Sequence, residues 1–190
     1  MGAIVVQDHR PLERFVSFYA GSGEHRLRTN AFKAYLADIG IDASYGVPTL
    51  FQIRGNLLAI MVNHEYNIVS HDARQVTEAT IRARAEVNRI VDALTTSAGP
   101  FKGCLLASTA EYIGVRDGRR LHGRYRVTVD DLTRGARFED AVARVRFGVD
   151  VHALRPEDKH KGNVNGGIRI QPYDIPMRAL IAQEVDGLLM

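Results

Sequence analysis

The segment from Thr77 to Leu94 constrains the fold most. Ala83, Val87, Ile90, Val91 and Leu94 fall at i, i+4, i+7, i+8 and i+11, one continuous apolar stripe, while Arg82, Arg84, Glu86 and Arg89 lie largely off it. A helix striped in this way buries that side against a core. Thr77 is its expected start, because the hydroxyl can cap the first free N–H groups and Glu78 sits where the helix dipole favours an anion. Gly99-Pro100 ends it.

Around that helix the chain reads as strands. Thr49 to Ile53, a Gly55-Asn56 turn and Leu57 to Val62 predict a hairpin, with a third strand from Glu65 to Val69. Cys104 to Ser108 predicts another strand. Thr128-Val-Asp-Asp131 has the form of a capping box, and Gly135 closes the short helix that follows. From Val145 to Val151 apolar and polar residues alternate, which predicts a strand with Arg144, Arg146, Asp150 and His152 in a row on its polar face. Lys159 to Gly167 reads as a polar, glycine-rich loop, and Ile168 to Gln171 leads into Tyr173-Asp-Ile-Pro176. In the first quarter, Gly2 to Val6 is a short apolar run, Pro11 to Tyr19 and Ala31 to Ile39 are helical stretches, and Gly21-Ser-Gly23 is a turn. The expected class is α+β, a mixed β-sheet with packed helices. The expected organisation is a helical segment over 1–45 and one domain over 46–190.

Charge narrows the partners. The formal charge is +3, from 25 basic and 22 acidic residues, too mild to argue for nucleic acid. Of the basic residues 21 are arginine, whose planar fork suits carboxylate and phosphate. The single cysteine, Cys104, cannot form an internal disulfide and points to a reducing, cytoplasmic setting. No apolar run is long enough to cross a membrane. His64 and His71 lack a third ligand nearby, so no metal is expected.

Three places could carry chemistry. Arg116, Arg119 and Arg120 fall within five positions, and guanidinium groups so close repel one another unless solvent, carboxylates or an anionic ligand screen them. A solvated basic turn is the plainer alternative. Asp150 and His152, two apart on one strand face, could act as an acid/base pair or simply form an exposed sheet face. The loop from His160 to Gly167 offers backbone N–H groups and a lysine to a phosphate, but matches neither a Walker loop nor a Gly-x-Gly-x-x-Gly turn. Ser108 and Cys104 lack the surroundings of a nucleophile.

Taken in order, Thr49 to Asn56, Leu105 to Ala110, Ile113-Gly-Val-Arg-Asp-Gly-Arg-Arg120 with Gly123, Phe138 to Arg144, Val149-Asp-Val-His152 and Tyr173-Asp-Ile-Pro-Met-Arg-Ala-Leu180 resemble FAD-dependent oxidoreductases of the glutathione-reductase-like superfamily. The resemblance implies a substrate-side part of a two-domain flavoprotein, most of its Rossmann-like part missing, cut short at the apolar Val185 to Met190. It implies FAD as cofactor and a small organic substrate exchanging a hydride with the flavin. His152 and Arg116 become catalytic candidates, Arg119, Arg120, Asp150 and Arg178 substrate contacts, and Tyr173, Asp174 and Pro176 cofactor contacts. Asp117, Met177 and Ala182-Gln183 depart from the family's usual residues, and no strand followed by Gly-x-Gly-x-x-Gly occurs. The alternative is a non-catalytic binding module that holds an acidic partner through the same arginines.

Overall fold

The computed structural model describes residues 1–17, 24–116, 118–151, 153–161 and 167–189. The chain divides into two units, Met1–Asp117 with Leu154–Gly162, and Gly118–Ala153 with Asn163–Met190.

The first unit is built on four antiparallel strands, β1 (Gly2–Val5), β2 (Thr49–Arg54), β3 (Leu57–Met61) and β4 (Leu105–Thr109), ordered β2-β3-β1-β4. The hairpin of β2 and β3 turns at Gly55, whose φ of 52° suits a residue without Cβ. Alternation then sorts the side chains. Ile4, Leu50, Leu58 and Ile60 are fully buried on the inner face, while Val5, Ile53 and Leu105 stay exposed on the outer one.

Two helices, α1 (Glu24–Asp38) and α2 (Ala73–Thr96), share the core with that inner face. The stripe on α2 is buried at Val87, Ile90, Val91 and Leu94 as its spacing requires. Phe15, Phe32, Tyr35 and Phe101 close the core as a knot of tilted rings, with centroids from 5.3 to 6.2 Å apart. Residues before position 45 thus share a core with the hairpin that follows them, and the units part at Asp117 and Gly118.

The α+β class holds, but both sheets are antiparallel rather than mixed, and the parallel pairing among the described residues is the bridge Val16–Leu50. Three expected elements differ. Helix α2 begins a turn before Thr77, because Asp72 accepts the N–H groups of Arg74 and Gln75 at 3.0 and 3.2 Å; Thr77, now interior, donates its hydroxyl to the Ala73 carbonyl. Glu65 to Val69 forms no strand: Asn67 turns left-handed at φ 57°, and the Tyr66 hydroxyl is tied to the Ser44 carbonyl. Of Pro11 to Tyr19, the regular part is a short 3-10 turn, Arg10–Leu12; residues 18–23, including the Gly21–Gly23 turn, lie outside the described residues.

The second unit holds α3 (Val129–Arg134) and a hairpin of β5 (Ala141–Val145) with β6 (Tyr173–Pro176). The capping box is present as read: Thr128 Oγ1 accepts the Asp131 N–H, the Asp131 carboxylate accepts the Thr128 N–H, and Gly135 ends the helix at φ 66°. The strand expected over Val145 to Val151 ends where that reading begins. Tyr173 lies opposite Val145, the next partner position is Pro172, which has no N–H to give, and the Gln171 N–H already donates to the Leu132 carbonyl. Alternation of residue types makes a strand possible; without a partner the ladder stops, and Phe147 and Val151 remain exposed.

Candidate functional site

Backbone hydrogen bonds in the second unit sew together segments far apart in the chain. Gln183 N–H donates to the His122 carbonyl at 2.8 Å, Arg124 N–H to Ile181 at 3.0 Å and Tyr125 N–H to Arg178 at 3.1 Å, with a bridge between Gly123 and Ala182. The seam is so close that a Cβ on residue 123 would lie 2.6 Å from the Ala179 carbonyl oxygen, so glycine is required there. The segment carrying Arg119 and Arg120 therefore runs into the one carrying Arg178. The β5–β6 ladder brings in Phe138 to Arg144 as the third.

Arg178 sits at the centre of this meeting point. Its guanidinium pairs with Asp140 and lies 4.9 and 5.0 Å from the ring centres of Tyr125 and Phe138. Asp140 also accepts the Arg178 N–H at 3.1 Å, and its carbonyl accepts that of Met177 at 2.7 Å. Beside it, Asp131 is a buried hub that accepts the Tyr125 hydroxyl at 2.9 Å and Arg134 at 2.7 Å besides the Thr128 N–H and hydroxyl. Burial pushes its carboxyl up, but the Thr128 N–H, Arg134 and the hydroxyls of Tyr125 and Thr128 outweigh that and hold it down at about 2, against an ordinary 3.8.

The residues marked from the sequence fall in several places. Arg119 and Arg120 are exposed in the second unit, whereas the exposed Arg116 belongs to the first. Asp150 is half-buried in the second unit. His152, Asp117 and residues 162–166 of the glycine-rich loop lie outside the described residues. Tyr173 is buried in β6 and donates its hydroxyl to the Phe147 carbonyl at 3.3 Å. Asp174 is buried, holding Arg137 at 3.1 Å and the Phe138 N–H at 3.4 Å. Pro176 is buried opposite Ala141.

The sequence did not single out Arg137, Asp140 or Tyr125, whose roles come from contacts across tens of residues. In the first unit, His64 lies against Tyr66 with ring centres 4.6 Å apart. Cys104 is buried with its thiol pKa raised by that burial and with the Thr95 hydroxyl beside it. Among the described residues no group of three His, Cys, Asp or Glu side chains could hold a metal ion, and no helix is long and apolar enough to cross a membrane. In the first unit a cavity of about 210 Å³ opens between His9, Glu13, Val16, Arg28 and Gln52, none of them among the site residues the sequence marked.

The stitched segments are among those on which the resemblance rested, and comparison with known families bears on its coarser part. A family model described as FAD dependent oxidoreductase matches residues 8–190, and the chain belongs to that family. No curated protein and no solved structure matches it.

An FAD pyrophosphate sits best on a glycine-rich turn opening a helix behind a strand. No Gly-x-Gly-x-x-Gly occurs in the sequence. Helix α2 follows a loop and opens on an aspartate, Asp72, whose carboxylate already occupies its first N–H groups. The described residues do not fit the diphosphate half of the cofactor.

Proposed function

We propose that this chain serves a flavin-dependent oxidoreduction as its substrate-holding part, in which a small anionic organic molecule exchanges a hydride with FAD. FAD, when bound, supplies the redox chemistry. The chain contributes a scaffold of arginines, with Arg119 and Arg120 exposed to meet a substrate and Arg178 fixed on Asp140. The reading is supported above all by the family match over residues 8–190, with motif segments around Gly123, Asp140 and Arg178 joined on one seam. Because the described residues do not fit the diphosphate, most of the hold on FAD would come from elsewhere in the working protein.

The test is flavin retention in the protein as its host makes it. Visible flavin absorbance in the purified material is the expected result. FAD added at a hundred times its Kd should stabilise by about 2.7 kcal/mol, which for a chain of this size raises Tm by roughly 5–10 °C. A colourless protein with an unmoved Tm would give the case to the non-catalytic module.

A further inference from the structure

We propose that Arg137 and Arg144 form an oxyanion-binding pair on the second unit, built over the buried carboxylate of Asp174 and suited to the carboxylate or phosphate group of a small ligand. The pairing register sets Arg144 directly opposite Asp174 across the β5–β6 ladder, and residues so opposed share one face of the sheet. Arg137 reaches the same carboxylate from the loop after α3, its Nη1 3.1 Å from Asp174 Oδ1. One guanidinium is thus held on this buried acid, and a second arginine rises from the ladder position opposite it without a contact of its own to the carboxylate.

The charges do not balance. Both Asp174 oxygens are engaged, one by Arg137 and the other by the Phe138 N–H at 3.4 Å. Two other acids of the unit are committed as well, Asp140 to Arg178 and Asp131 to Arg134. Arg144 is exposed and has no hydrogen-bond or ion-pair partner among the described residues. The Arg144 charge is therefore met by no carboxylate among the described residues, and guanidinium groups brought near one another repel until an anion comes between them.

Geometry separates this place from a merely basic surface. The Asp174 side chain is 5% exposed and Arg137 57%, so one end of the Arg137 fork is fixed below the surface while the rest of it faces solvent. A guanidinium oriented in this way loses little rotamer freedom on binding, and planar oxyanions suit its fork. Neither arginine belongs to the substrate or cofactor contacts that the resemblance suggested.

The full chain, labelled with ¹⁵N at arginine, is titrated with sodium succinate and separately with sodium phosphate, sodium chloride keeping ionic strength constant. Saturable shifts of the Arg137 and Arg144 Nε–H signals are expected, and the tighter of the two salts identifies the oxyanion. Arg144→Gln, which removes an exposed side chain and should leave the fold intact, should weaken that binding about tenfold; Arg126→Gln, at another exposed arginine, should leave it unchanged. Shifts that rise linearly without saturating, or equal affinity in Arg144→Gln and the parent chain, would overturn the proposal. The titration contains no flavin, so its failure would leave the oxidoreductase reading untouched.

Discussion

Replacing Asp131 by alanine should loosen the second unit more than any surface change in it. Three losses add. The capping box of α3 goes, at about 1 kcal/mol. The Tyr125 hydroxyl loses a charged acceptor, at about 1.5 kcal/mol. The ion pair to Arg134 contributes under about 1 kcal/mol, because the arginine is 62% exposed and screened by water. The sum is about 3 kcal/mol, a fall of roughly a hundredfold in amide protection over 123–145, read by native-state hydrogen exchange. Asp131→Asn, which keeps one carbonyl acceptor, should lose about half as much. Protection in Asp131→Ala that stays within about 0.5 kcal/mol of the parent would refute the hub, since surface changes alone fall in that range.

The same carboxyl sets a pH dependence whose sign follows from the depressed pKa. Folding holds Asp131 at about 2 against an ordinary 3.8, so between those values the unfolded chain binds the extra proton. Its contribution is complete above about pH 4 and is lost as pH falls through 2. Protection over α3 in the parent should therefore decline across that window, and in Asp131→Asn the decline should flatten.

Two further outcomes follow from backbone geometry. Gly123→Ala pushes a Cβ onto the Ala179 carbonyl and should destabilise the seam by about 2 kcal/mol, seen as faster exchange at Arg124 and Tyr125; unchanged exchange would mean the approach is not close. Asp72→Ala removes the cap that starts α2 and should cost about 1 kcal/mol, a Tm drop of about 2–4 °C, whereas Thr77→Ala should cost distinctly less; equal effects would return the helix start to Thr77.

What could be read from the sequence was what neighbouring residues decide. The α2 stripe, the β2–β3 hairpin and the Thr128 capping box depend on spacings of a few residues, and each stands where its pattern places it. The failures depend on partners. Val145 to Val151 has the alternation of a strand, but β6 offers nothing beyond Tyr173 to pair with it. Thr77 is a fair cap in isolation and loses to Asp72 because the earlier residue binds two N–H groups at once. At the site, Arg178 stood out as a charge within a motif, yet its surroundings come from Asp140, 38 residues back, and from two aromatic rings that no local pattern links to it.

That contrast bears on how the arginines of this chain divide their work. A guanidinium already balanced by a carboxylate and flanked by aromatic rings has few donors left and a field largely cancelled, so it positions other groups better than it attracts a ligand. Arg178 is of this kind, and it fixes the turn after β6 against the seam. Where cations outnumber the acids within reach, the field survives and an incoming anion supplies what the protein withholds. Arg144, opposite Asp174 in the ladder and without an acid of its own, meets that condition, and Arg137 is already held on the same carboxylate. Motif membership drew attention to the first arginine; charge balance in the folded unit favours the other two as the place where a ligand is held.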